Sequence, residues 1–263
     1  MAVVTRNNSV ALLGSLFALV SSPTLAASQP IVTPSSSHNH FLPTLSTLKA
    51  GHALIQLGGY SSRQGATQHI NIDGLIGDRF TVTKHGDSNG LLGLGYFIEG
   101  QSRGPLTMSY GINGFYLPRT SVSGTVTQEN LFTNLSYGYH LTHYPVYAMA
   151  ASIIPLKLTK QFLTLDVGIG PNFMRAGGFQ EYSLDNGVTL PDNAFSGRTT
   201  TTFSATVGIG IRINNVFGKA PLECGYRFFY LGQGHFNTET NQLQNTLNTG
   251  NTYANALLCG IRI

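Results

Sequence analysis

Charged side chains are scarce in this chain of 263 residues, in which aspartate, glutamate, lysine and arginine together make up 10%. Ordinary soluble domains carry roughly 25%. After the N-terminal region, no stretch approaches the ~20 continuous apolar residues that a membrane-spanning helix requires. Tryptophan is absent. The formal net charge of +4 is too small, and its charges too scattered, for a nucleic-acid-binding surface. These absences argue against a soluble enzyme, a helical membrane protein and a nucleic-acid-binding protein.

The N-terminal residues have the composition of an export signal. Arg6 supplies a positive charge, residues 10–20 (VALLGSLFALV) form an apolar segment, and small residues surround Ala26, as at a signal-peptidase site. We therefore predict a signal peptide over residues 1–26. The alternative, an N-terminal anchor helix, is disfavoured because the apolar segment is short.

The next segment, residues 27–49, is rich in serine, proline and histidine and shows no sustained periodicity. This composition predicts a flexible lead-in. His38 and His40 have no further clustered ligands near them, so we interpret them as solvated residues and predict no metal site. Residues 50–263 are predicted to form one domain.

From Gly51 onward, apolar residues recur at every second position, which is the period of a β-strand. Eight segments are predicted as strands: 51–60, 90–100, 106–117, 131–154, 161–175, 199–213, 221–234 and 251–263. The intervals between them alternate between long and short. Antiparallel neighbours joined in this way place short turns at one end and long loops at the other, as in bacterial outer-membrane barrels.

The two faces of the predicted strands indicate which side meets lipid. Leu94, Tyr96 and Ile98 alternate with Gly93 and Gly95, and the third and sixth strands show the same contrast. A soluble barrel would expose the small and polar set to water, almost without lysine or glutamate. An inverted barrel explains both faces, because small and polar residues fill a narrow lumen and bulky residues face hydrocarbon. The predicted fold is therefore all-β, an eight-stranded antiparallel up-and-down transmembrane β-barrel.

Together these features resemble the small outer-membrane β-barrel families, namely the OmpA-type transmembrane domain and the opacity-like proteins. The resemblance covers residues 50–263 and includes the segments GLLGLGYF, DVGIGPNF and GYRFFYL. The segment LLCGIRI is similar to the terminal strand that the barrel-assembly machinery reads, but it ends in Ile263 where these families usually end in phenylalanine. We expect this last strand to pair with the first, so that no backbone edge is left in the bilayer.

The resemblance implies a location in the outer membrane of a Gram-negative bacterium, after export through the inner membrane. The implied partners are outer-membrane lipids and lipopolysaccharide, with the barrel-assembly machinery during biogenesis. It leaves the activity open, because this fold hosts anchors, adhesins, narrow pores and a few lipid-modifying enzymes.

Two functional hypotheses follow. The first is a structural or membrane-anchoring barrel that is at most a narrow pore. The second is a surface adhesin or ligand-binding barrel that recognises a host or cell-surface ligand through long extracellular loops. A hairpin tip near residues 128–131 and a tight turn at Asn186-Gly187 are expected in those loops.

A lipid A-modifying enzyme is the least favoured hypothesis. The deacylases among such barrels use a histidine and a serine two residues apart, and the nearest match here, His235 with Asn237, lacks the serine. His140 and Thr142 share a face, but no carboxylate that would orient the histidine is evident. We expect neither enzymatic activity nor a cofactor.

The polar face of the predicted strands carries seven ionisable residues that we expect to form an ion-pair plug in the lumen. The set is His52, Glu99, Asp166, Arg212, Glu223, Arg227 and Arg262. Charges inside a narrow barrel are unfavourable unless they are paired, and the three arginines can be balanced by the three carboxylates. Most of the set lies near the strand ends that are expected to face the periplasm.

The two cysteines, Cys224 and Cys259, lie on strands that are predicted to pair, both on the outward face. A disulfide is possible in an oxidising compartment. Paired strand neighbours do not always reach disulfide geometry, so we favour two separate thiols.

Overall fold

The computed structural model describes residues 51–157, 160–218 and 220–263. The expected signal peptide and lead-in, with His38 and His40, lie outside the described residues. The described part of the chain contains no helical segment with the length and hydropathy of a membrane span.

The regular secondary structure of the described residues consists of β-strands. Their bounds are β1 Gly51–Arg63, β2 Gln68–Ile70, β3 Asp78–Lys84, β4 Gly86–Arg103, β5 Leu106–Gln128, β6 Phe132–Pro155, β7 Gln161–Ser183, β8 Phe195–Ser196, β9 Arg198–Phe217, β10 Ala220–Gly232, β11 Asn237–Thr238 and β12 Thr252–Arg262. Eight long strands build the barrel wall, and the short strands β2, β3, β8 and β11 lie in its connections.

The eight long strands close into an antiparallel ring in which chain neighbours are spatial neighbours, in the order β1-β4-β5-β6-β7-β9-β10-β12. The last strand pairs with the first from Leu54 opposite Arg262 to Arg63 opposite Tyr253. Two backbone hydrogen bonds between Ala53 and Ile263 extend this seam. The predicted eight-stranded up-and-down barrel, closed by its terminal strands, is therefore confirmed.

The two ends of the barrel differ. At the turn end, short connections join β4 to β5, β6 to β7 and β9 to β10. At the loop end, the wall is tall on one side, where β5, β6 and β7 have 23, 24 and 23 residues, and low on the other, where β10 and β12 have 13 and 11. The β5–β6 hairpin turns at residues 129–131, as predicted. The pairing of β3 with the upper part of β5 was not predicted.

Bulky side chains cover the outer surface of the ring. The exposed fraction reaches 63% for Ile112, 70% for Leu257 and 50% for Ile209. Aromatic residues lie toward both ends of this band, with Tyr96 and Tyr110 toward the turn end. Others lie toward the loop end: Tyr116, Tyr144, Phe173, Phe203 and Tyr253. The predicted outward orientation of the apolar face is confirmed.

The interior contains large rings, which corrects the expectation of a lumen filled by small and polar side chains. Phe97, Phe115, Tyr147 and Phe229 are all buried within one apolar cluster in the middle of the barrel. Glycine on the same inner face leaves room for them: a Cβ on Gly93 would lie 2.7 Å from the Phe115 ring. The small residues that the sequence places inside thus accommodate aromatic side chains from neighbouring strands.

Gly93→Ala is expected to destabilise the barrel by about 1–3 kcal/mol, because the added methyl group overpacks the Phe115 ring. Gly90→Ala is the matched control on the same strand. Its Cβ would point outward, with the nearest atom 3.7 Å away. Urea-induced unfolding of both variants measures the difference, and equal stability of the two would contradict this account of the interior.

Candidate functional site in the barrel interior

The seven predicted lumen residues all lie on the inner face toward the turn end, where the structure groups them into three sets of ion pairs. At the mouth, Glu223 of β10 lies between two arginines. Its Oε2 accepts hydrogen bonds from Nη2 of Arg212 on β9 at 3.1 Å and Nη2 of Arg262 on β12 at 3.4 Å. One carboxylate therefore joins three adjacent strands.

A second pair lies one layer deeper and joins β10 to β7 across the intervening strand β9. Nη2 of Arg227 on β10 donates a hydrogen bond to Oδ2 of Asp166 on β7 at 2.9 Å, and Nη1 lies 2.7 Å from Oδ1 in a close ion pair. The strand between them, β9, carries Gly208 at the crossing point, where a Cβ would lie 2.7 Å from Asp166 Oδ2. The absence of a side chain at Gly208 leaves room for this pair, in which a charge-assisted hydrogen bond accompanies the ion pair.

The third pair lies at the rim. His52 Nε2 is 3.4 Å from Glu99 Oε1, and both side chains are about one-third exposed, at 35% and 33%. An exposed pair of this kind contributes little to stability. Asp166, Arg212, Arg227 and Arg262, in contrast, are each less than 9% exposed, so their charges depend on their partners.

Aromatic rings lie beside the two most buried arginines. The Arg227 guanidinium lies 5.3 Å from the centroid of the Phe115 ring, and the Arg262 guanidinium lies 5.2 Å from that of Phe97. The face of an aromatic ring attracts a cation, more strongly where water is excluded. The charged layer is thus continuous with the apolar layer above it.

The apolar layer crosses the full width of the lumen. Phe115 on β5 and Phe229 on β10 belong to strands on opposite sides of the ring, yet their ring centroids are 5.1 Å apart in an edge-to-face arrangement. Tyr147 on β6 joins them, at 6.1 Å from Phe115 and 6.2 Å from Phe229. Side chains from opposite walls therefore meet at the barrel axis.

Buried polar residues that the sequence analysis did not single out surround this layer. Asn113 donates a hydrogen bond to Gln56 at 2.7 Å. Nearer the loop end, Asn172 Nδ2 lies 3.1 Å from His143 Nδ1 and donates to the carbonyl of Leu231 at 2.7 Å. The alternation of side chains along each strand shows that these residues face inward. It does not show which residues they contact across the lumen.

At the loop end, the connections pack against the tall strands β5, β6 and β7 and form a second apolar core with them. Its rings include Phe80, Tyr137, Phe179, Phe195 and Phe236, each 8% exposed or less. The predicted turn at Asn186-Gly187 is present, with positive φ at both residues. Asp185 beside it accepts hydrogen bonds from Ser183 and Thr189, which lower its pKa to about 2.

The cysteines depart from the expectation of two separate thiols. Cys224 and Cys259 form a disulfide, with their Cα atoms 4.0 Å apart. The reason is the register, which places the two residues directly opposite each other on β10 and β12.

The histidines weighed for catalysis are separated in the structure. His140 and Thr142 alternate with the buried Tyr139 and Leu141 on β6, which places them on the outer side of the wall. His143, the next residue, points inward and is fully buried. His235 lies in a loop-end connection, where its backbone forms an isolated antiparallel β-bridge with Asn248.

The buried Arg227–Asp166 pair can be tested by a double-mutant cycle. Arg227→Met or Asp166→Asn alone is expected to cost about 3–5 kcal/mol, because each leaves an unpaired buried group. The double variant should lose less than the sum of the two. His52→Gln at the exposed pair is the control and should cost no more than about 1 kcal/mol. Additive losses in urea titrations would show that the two side chains are not coupled.

Alkylation followed by mass spectrometry tests the disulfide. The unreduced protein should take up no label at Cys224 or Cys259, and the reduced, unfolded protein should take up label at both. Because the bond links residues 35 apart, its reduction should lower the free energy of unfolding by roughly 2–4 kcal/mol. Full labelling before reduction would disprove the bond.

No protein-family profile matches the chain, and no curated protein sequence matches it. Solved structures are similar to it at low sequence identity. The outer membrane protein OprG from Pseudomonas aeruginosa is 12% identical, with a TM-score of 0.46, over 82% of this chain and 97% of that one. Neisserial surface protein A is 9% identical, with a TM-score of 0.39, over 82% of this chain and 99% of that one.

Ail, the attachment invasion locus protein of Yersinia pestis, is 14% identical, with a TM-score of 0.33, over 82% of this chain and 100% of that one. That structure was solved in complex with the heparin analogue sucrose octasulfate. These similarities concern the architecture alone, and the barrel assignment for this chain rests on its own strand pairing.

Proposed function

We propose that this protein is a closed, structural β-barrel of the outer membrane of a Gram-negative bacterium, exported through the inner membrane. Its partners would be outer-membrane lipids and lipopolysaccharide, with the barrel-assembly machinery during insertion. The turn end would face the periplasm and the loop end the cell surface, as short turns and long loops do in such barrels.

The outer surface supports the location in a membrane. A band of isoleucine, leucine, valine and aromatic side chains runs around the ring, with Leu94, Val167 and Leu257 each more than half exposed. Soluble proteins rarely expose a continuous apolar surface of this extent. In a bilayer the same band is in contact with hydrocarbon, and the closed ring leaves no strand edge unpaired.

The contact between Phe115 and Phe229 is the observation that carries the proposal of a closed barrel. It joins opposite walls at the barrel axis, directly above the layer in which Arg227 is paired with Asp166. An ion entering from the turn end would meet the charged layer and then a layer of packed rings. The function that fits this interior is anchoring or structural. Ions would pass only when these side chains rearrange.

Catalysis is not part of the proposal. His140 and Thr142 lie outside the lumen, and the buried His143 contacts Asn172 rather than a carboxylate. A general base held by a carboxylate is the arrangement that nucleophilic hydrolysis requires.

Single-channel recording in planar bilayers tests the closed lumen. The wild-type protein should give small, infrequent openings. Phe229→Ala removes the ring that meets Phe115, and Arg227→Ala or Glu223→Ala breaks the charged layer, so each should increase the frequency or size of the openings.

Phe228→Ala is the matched control, because Phe228 is the adjacent residue on the outer face, where it stacks against Tyr253. It should leave the openings unchanged. Large, stable conductance of the wild-type protein that none of the inward substitutions alters would show that the lumen is open and would refute the proposal.

A further inference from the structure

A second feature lies at the opposite end of the molecule from the ion pairs. At the top of the tall wall, a cavity of about 450 Å³ opens among β2, β3, the β5–β6 turn, β7 and the loop-end connections. We call it the tip cavity. Ligand pockets in proteins typically enclose about 300–1,000 Å³, so its size suits a small molecule.

The floor of the tip cavity is apolar. Phe80, Leu135 and Phe195, each 3% exposed or less, belong to the loop-end core and form its base. Leu131 and Leu75 line its edge and are 72% and 60% exposed. Ten of the seventeen lining residues are apolar, so an organic ligand would bury hydrocarbon against them.

The polar part of the lining has one sign of charge. Asp78, Glu129, Glu181 and Asp192 line the cavity, and none of the lining residues is basic. The whole chain has 11 acidic residues against 15 lysines and arginines, so four carboxylates in one cavity is a local concentration. None of the ion pairs among the described residues involves these four.

Glu181 is the deepest of the four and is 7% exposed. Its Oε2 accepts hydrogen bonds from the backbone N–H groups of Asp192 and Asn193, at 3.1 and 3.0 Å. No group in the described part of the chain donates to its Oε1. Burial raises the pKa of Glu181, which the charges of Asp192 and Asp78 raise further. A cation in the cavity would relieve this unfavourable environment.

Backbone contacts fix the carboxylates on the other side. Glu129 accepts hydrogen bonds from the N–H groups of Ile76 at 2.9 Å and Gly77 at 3.3 Å. Asp78 Oδ1 accepts one from the Glu129 N–H at 3.4 Å, and burial, together with the charge of Glu129, raises the pKa of Asp78. These side chains are held in place before any ligand arrives, which favours binding.

We infer that the tip cavity binds a small organic cation, a protonated amine on an apolar body. The carboxylates supply the counter-charge and hydrogen-bond acceptors, and the floor supplies apolar contact. A bare metal ion suits it less, because the described residues contain no convergent group of acidic or histidine side chains able to hold one, and the floor offers no ligands.

Binding of 4-phenylbutylamine to the purified protein in lipid nanodiscs, measured by isothermal titration calorimetry, tests the inference. The neutral analogue 4-phenylbutanol, of similar size, should bind at least about tenfold more weakly, since it lacks the charge-assisted hydrogen bonds. Asp192→Asn should weaken binding of the amine but not of the alcohol. Leu131→Ser, at an exposed position, should weaken binding of both.

Glu239→Gln is the control, because Glu239 is an exposed loop-end carboxylate that does not line the cavity, and it should leave amine binding unchanged. Equal affinities for amine and alcohol, no binding of either, or a loss with Glu239→Gln equal to that with Asp192→Asn would overturn the inference. The exposure of the cavity at the cell surface rests on the proposed function. Binding of the amine does not depend on the proposed function. Phe229→Ala should change conductance without changing the affinity for the amine, so each proposal can be refuted without refuting the other.

Discussion

The pairing of β1 with β12 is the constraint on which the rest of the structure depends. Because successive side chains on a strand point to opposite faces, closing the sheet assigns every second residue to the inside and the others to the outside. The outer set then forms one continuous apolar surface. The inner set is confined to the narrow space that eight strands enclose, where residues from opposite walls are close enough to touch.

Confinement explains the chemistry of the interior. A charge placed there is removed from most of the surrounding water, so it remains ionised only beside a partner. Each of the three buried arginines accordingly has a carboxylate partner, and Arg227 and Arg262 also lie against an aromatic ring. Glycines at crossing points such as Gly208 allow contacts between strands that are not adjacent. Both layers therefore follow from the narrow lumen: charges are paired there, and rings from opposite walls are in contact.

Period-two alternation was sufficient to predict the eight wall strands, their outward face and the inward orientation of residues such as Arg212 and Asp166, because each of these follows from local parity. It could not predict that Phe115 meets Phe229, since that contact depends on strand order and tilt around the ring. The bond between Cys224 and Cys259 required the exact register. The loop-end core and the tip cavity depend on distant connections, such as β3 against β5, for which no local pattern exists.

Phe115 contacts both layers of the lumen. Phe229 packs edge-to-face against its ring, and the guanidinium of Arg227 lies over the same ring. Substitutions at positions 115, 227 and 229 should therefore show strong epistasis, with the effect of one depending on which residue is present at the others. During divergence, these three positions would be expected to change together rather than one at a time. A search for covariation among them in related sequences would identify which barrels share this packed arrangement of side chains.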